Sequence, residues 1–132
     1  MSVELPVFSA DDLRRAAAEQ RVGSERCPTC GGLSCKSWEA LPGGFDARVL
    51  ECVGTLQDPA VDDPTLDEFH PDGTHGWSAD APIAPRFHPY NRCEVWRCPA
   101  CHRAFVRYTE YGGYYNEPRI REVTPALVVD AP

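Results

Sequence analysis

Cys27-Pro28-Thr29-Cys30 and Cys98-Pro99-Ala100-Cys101 are the two stretches on which the reading of this 132-residue chain turns. Each presents two thiols about one turn apart. Together they supply four sulfurs, the complement of a closed tetrahedral metal site. The surroundings favour metal over disulfide. The first residues, Met1-Ser2-Val3-Glu4-Leu5-Pro6, lack the basic and apolar regions of an export signal. No apolar run is long enough for a membrane span, so no membrane association is expected. The expected home is a reducing cytoplasm, where cysteines serve as ligands rather than as cross-links. Seven cysteines also fit a fully paired disulfide framework poorly. The length suits a single domain, 1–132, with a modest core. Arginine outnumbers lysine twelve to one, which hints at a GC-rich bacterial genome.

Upstream of the first pair, Ser9 to Arg21 reads as a short helix. Ser9 is a good N-cap, and Asp12 stands three residues on, as in a capping box. Phe8 and Leu13 occupy the staple positions; Leu13, Ala16 and Ala17 form a narrow apolar stripe; Gly23 is the expected stop. Downstream, Gly31-Gly32 signals a turn. Cys35 to Leu41 reads as a strand, Pro42-Gly43-Gly44 as a turn and Ala47 to Leu56 as a second strand rich in β-formers. The two strands are expected to form a hairpin leaving the first pair.

Around the second pair, Arg92 to Arg97 and Ala104 to Tyr111 read as the entering and leaving strands. Gly112-Gly113 makes the next turn, Tyr114 to Val123 returns as a strand, and Ala126 to Val129 adds a short edge. Residues 58–91 between the two halves are irregular and hold six of the thirteen prolines. Phe69, Trp77, Ile83, Phe87 and Tyr90 are anchors enough to make this an ordered loop wrapping the sheet. The expected class is α+β, mainly antiparallel sheet with one N-terminal helix.

A strand, a Cys-x-x-Cys turn and a strand, used twice, resembles the zinc ribbon, in which two such knuckles face each other and clamp one metal ion. Cys27-Pro28-Thr29-Cys30-Gly31 matches the knuckle well, since a glycine there allows a left-handed turn that aims N–H groups at the sulfurs. In the second knuckle His102 replaces that glycine. The 67 residues between the pairs exceed a minimal ribbon, so the hairpin and the 58–91 loop read as insertions. The resemblance covers the knuckles and their flanking strands, under a third of the chain. It implies Zn²⁺ at Cys27, Cys30, Cys98 and Cys101, with iron the less favoured occupant of the same geometry.

Other readings of these cysteines carry less. Cys98-Pro99-Ala100-Cys101-His102 is literally a c-type haem attachment pattern, but haem attachment follows export and leaves the first pair unexplained. Thioredoxin-like redox pairs sit where a strand runs into a helix, whereas both pairs here run into strand-like sequence. Cys35, Cys52 and Cys93 lie in or beside strand-like runs and are expected to be small buried hydrophobes. His70, His75 and His88 lie in or near the acidic loop. A second metal site at His70, Asp72 and His75 is conceivable on composition, and loop histidines bonded to backbone are the plainer expectation.

The net charge of −7 is unevenly distributed. Residues 58–90 carry seven acids against the single base Arg86, while residues 91–121 carry six arginines against three glutamates. The second segment interleaves those arginines with Trp96, Phe105, Tyr108, Tyr111, Tyr114 and Tyr115, a mixture that can pair phosphates and stack bases. Overall acidity disfavours nucleic acid as the partner. No nucleophile elbow, phosphate loop or zinc-protease helix is present, and four cysteines would close the coordination position that a catalytic zinc keeps open. The expectation is therefore a non-catalytic protein that binds a macromolecule. An acidic loop on a rigid scaffold suits a basic protein, with Asp62, Asp63, Asp67 and Glu68 as the contact residues. Size and charge together make toxin neutralisation, as by an immunity protein, the leading role. A nucleic-acid-binding ribbon and a metal-dependent or redox enzyme are the alternatives.

Overall fold

The computed structural model describes residues 5–21, 27–112, 114 and 116–131. It is α+β: one helix, α1 (Ala10–Ala18), and five antiparallel strands, β1 (Glu39–Ala40), β2 (Glu51–Thr55), β3 (Glu94–Arg97), β4 (Ala104–Tyr111) and β5 (Asn116–Glu122). No helix among the described residues is long and apolar enough to cross a membrane.

α1 begins as the sequence predicts. Ser9 Oγ accepts from the Asp12 N–H at 3.1 Å, and the Asp12 carboxylate accepts from the Ser9 N–H at 3.0 Å. Ala10, Leu13 and Ala17 face the core, with Phe8 packed beside them. The helix ends at Ala18 rather than at Arg21. Arg21 is drawn away to the second knuckle, its N–H on the Cys101 carbonyl and its guanidinium on the Ala100 carbonyl. Gly23, the expected stop, lies outside the described residues, as do Gly113 and Tyr115.

The strand order is β1-β5-β4-β3-β2. This overturns the expected hairpin between Cys35–Leu41 and Ala47–Leu56. β1 pairs with β5 and β2 pairs with β3, so the two stretches lie at opposite edges of the sheet. Both are also shorter than expected. Cys35 does meet β5, its carbonyl accepting from the Glu122 N–H, but the next carbonyl, Lys36, is taken by the Arg121 guanidinium, and the ladder resumes only at Glu39. Asp46 caps a 3₁₀ turn over Ala47–Val49, which delays β2 to Glu51. At the far end, Pro125 opens a 3₁₀ turn where a strand was expected, and only Val128 bridges, in parallel, to Ile83. The β2 edge is covered near Thr55 by the segment around Val7. Gly54 is needed there, since a Cβ would stand 2.4 Å from the Phe8 ring.

Alternation along the strands divides the buried residues into two cores. Val95, Ala104, Val106 and Val123 face α1, Trp38, Ile83, Tyr90 and Val128. Phe105 and Ile120 face the other way, toward Leu33, Cys35, Leu50 and the four knuckle cysteines. The long loop also divides. Residues 58–68 are exposed, whereas Ala81, Ile83, Ala84 and Tyr90 form part of the first core.

Candidate metal centre

The sulfurs of Cys27, Cys30, Cys98 and Cys101 all lie within 4.8 Å of one another, and all four residues are buried. Cys27 faces Cys98 at 3.8 Å and Cys30 faces Cys101 at 3.4 Å. None of the cysteines forms a disulfide. A metal–sulfur bond of about 2.3 Å in a tetrahedron sets sulfurs about 3.8 Å apart. The four side chains therefore fit a single tetrahedral ion, with two ligands from each knuckle. Among the described residues no other group of histidines, cysteines and carboxylates meets ligand spacing.

Local turns place the sulfurs. In the first knuckle the Gly31 N–H donates to the Cys27 carbonyl and the Leu33 N–H to the Cys30 carbonyl. In the second, the His102 N–H donates to the Cys98 carbonyl, and the Cys98 N–H donates to the Arg103 carbonyl. His102 itself takes φ +64°, so the non-glycine residue adopts the left-handed conformation for which glycine is best suited.

The electrostatics of the four thiols are uneven. The N–H of Cys30, and after it that of Thr29, lowers the Cys27 thiol to about 6. Burial raises Cys30, and the Arg103 guanidinium opposes that rise. Burial likewise raises Cys101 against the Arg103 N–H. A thiolate is the ligating form, so an ion bound here displaces protons and compensates the burial. Zn²⁺ with four thiolates carries a net charge of about −2 and gains from nearby donors.

Arg103 is the donor that reading the motif alone did not single out. Its Nη1 lies 3.1 Å from the Cys30 carbonyl and 3.8 Å from the Cys30 sulfur. Its Nη2 donates to the Leu33 carbonyl at 2.9 Å and to Glu122 at 2.7 Å. The guanidinium stacks over the Phe105 ring at 5.0 Å. The other oxygen of Glu122 accepts from Lys36 at 3.1 Å. The signal available in the sequence was an arginine two residues past the second knuckle.

The remaining candidates are dispersed. Asp62 lines an open groove of about 1070 Å³ beside Val7, Arg92, Arg107 and Tyr111. Asp63 is exposed. Asp67 is held by its backbone, its N–H on Thr65 Oγ1 and its carbonyl accepting from His88. Glu68 pairs with His70 Nε2 at 2.9 Å, and His70 Nδ1 meets Thr74 Oγ1 at 2.9 Å, which engages both ring nitrogens. His75 Nδ1 accepts the Trp77 N–H. Cys35 and Cys93 are buried and Cys52 half-buried, and burial raises all three thiols, Cys35 to about 11. Of the aromatic residues in the arginine-rich segment, Phe105 is buried, Trp96 lies under the Arg107 guanidinium at 4.4 Å, Tyr108 packs edge-on to Trp38, and Tyr111 and Tyr114 are exposed.

No family model, curated protein or solved structure matches this chain. What carries over from the zinc-ribbon resemblance is thus the four-sulfur cluster itself, a site whose donors and spacing are compatible with a metal ion such as zinc.

Proposed function

We propose that this protein is a zinc-stapled, non-catalytic scaffold that binds a macromolecular partner, a basic protein in the first instance. The observation that carries the metal part is the convergence of four buried sulfurs from positions 71 residues apart on spacings that suit one ion. Zinc is taken ahead of iron as the ion for which closed four-cysteine structural sites are typical, and a filled shell of four thiolates leaves no position for substrate. Elemental analysis of purified protein tests this directly. One zinc per chain, lost in parallel with the appearance of four reactive thiols, is the expected result. A folded, metal-free protein with all four thiols already reactive would overturn it.

The partner class follows from charge. The exposed stretch 58–68 presents Asp58, Asp62, Asp63 and Asp67 with no arginine or lysine among them. By contrast, the arginines downstream are largely engaged inside the molecule: Arg97 with Glu51, Arg119 with Glu117 and Tyr108, and Arg103 and Arg121 in the cores. That distribution supports a basic protein over nucleic acid, and a toxin-neutralising role is the lead within that class. Neutralising Asp62, Asp63, Asp67 and Glu68 together should release a co-purifying basic protein. Tight binding to DNA or RNA with a steep salt dependence would instead favour the nucleic-acid alternative.

A further inference from the structure

Two anionic bodies lie close together on one side of the sheet. One is the four-sulfur centre, about −2 when it holds zinc. The other is Glu122, 3 % exposed on β5. Arg103, itself buried, reaches both, with one nitrogen near the Cys30 carbonyl and sulfur and the other on the Leu33 carbonyl and Glu122. Lys36 takes the second oxygen of Glu122 but is bonded to none of the sulfurs. One carboxylate shared by two cations leaves a positive surplus, and Arg103 is the cation that faces the thiolates. It comes from the second knuckle and grips the carbonyls of the first, so it also fixes how far apart the two sulfur pairs stand.

We infer that Arg103 is the positioning residue of the metal centre: it holds the first knuckle against the second and offsets the charge of the Cys30 thiolate, and so sets how firmly the ion is retained. This rests on the zinc reading above. Partners that orient and hydrogen-bond metal ligands are commonly worth 10–100-fold in metal affinity. An arginine fork is needed because a lysine ammonium lacks the planar array of donors that reaches two carbonyls, a sulfur and a carboxylate at once.

The test compares Arg103→Met, Arg103→Lys and the double variant Arg103→Met/Glu122→Gln in the full chain. The readouts are zinc extraction by a colorimetric chelator, the sulfur-to-cobalt charge-transfer band of Co²⁺-loaded protein, and denaturant midpoint. Arg103→Met should speed extraction about 10–100-fold and move the cobalt band to longer wavelength, as expected of a thiolate that has lost a donor. It should also lower the denaturant midpoint, because Glu122 is left buried without its main partner. The double variant removes that stranded carboxylate. It should recover the midpoint while zinc extraction stays fast. Arg103→Lys should fall between wild type and Arg103→Met. Wild-type extraction and an unmoved cobalt band in the double variant would overturn the inference, since Arg103 would then act only by satisfying Glu122. Wild-type protein that takes up neither zinc nor cobalt would instead overturn the metal reading beneath it.

Discussion

Arg121 and Glu122 are neighbours on β5 and point into opposite sides of the sheet. On the side of α1, Arg121 is fully buried, and among the described residues it donates to the Lys36, Ala79 and Ala81 carbonyls and the Tyr90 hydroxyl and to no carboxylate. On the sulfur side, Glu122 accepts from Arg103 and Lys36. The first side is a conventional apolar core, with Leu13, Val95, Val106 and Ile83 at its centre. The second gathers Phe105, Ile120, Leu33 and Leu50 around five buried cysteines, with Phe45 and Trp96 packed at its margin. The difference shows how a modest chain closes both faces of one sheet: hydrophobic burial alone on one, and on the other a smaller apolar cluster built around a four-sulfur site compatible with a metal ion.

The comparison breaks most readily by chelation. Removing the ion should strip amide-exchange protection from Gly31, Leu33 and His102, whose N–H groups close the knuckle turns, while the amides of α1 keep theirs. In small zinc peptides metal binding is worth about 10–16 kcal/mol, so this is the largest effect anticipated. If α1 loses protection together with the knuckles, the two sides are a single cooperative unit and the contrast fails. Leu13→Ala probes the other side. It should cost about 3–5 kcal/mol of stability in denaturant, with zinc stoichiometry unchanged.

Smaller changes sharpen the contrast. Ser9→Ala removes the cap of α1 and should cost about 1 kcal/mol by chemical denaturation. On the sulfur side His102→Gly should stabilise the holo-protein by about 0.5–1 kcal/mol, because the φ of +64° suits glycine better. The smallest effect is a pH dependence at Asp12. Its carboxyl is held below the usual value, first by the Ser9 N–H and then by the Ser9 hydroxyl. A depressed carboxyl contributes stability above its unfolded value and loses it as pH falls through the folded one. The stability gap between wild type and Asp12→Asn should therefore close on acidification below about pH 3.9; a gap unchanged in acid would show that the charge of Asp12 contributes nothing.

What could be read from the sequence was local in origin. The Ser9–Asp12 cap, the eight-residue β4 and the cysteine spacing each depend on residues a few positions apart, and each is found where expected. The hairpin after the first knuckle failed because its two strands choose partners far along the chain, β5 for one and β3 for the other. Nothing in Cys35–Leu41 announces that its Lys36 carbonyl will be claimed by Arg121, 85 positions away. Arg103 was hidden for the same reason. Its side chain answers to Leu33 and Glu122, and spacing within the Cys-Pro-Ala-Cys motif is silent about both.

The cradle around Arg121 also bears on how this architecture can be trimmed. A proline-rich excursion of some thirty residues looks like an ornament that protein engineering could shorten at will. Here the tract from Ala79 to Tyr90 supplies three of the groups that solvate an interior cation, and Ile83 clasps the chain at Val128. Cutting back the acidic tip before Phe69 would leave that clasp in place. Deleting the remainder would strand a guanidinium in hydrocarbon and open the floor beneath the helix.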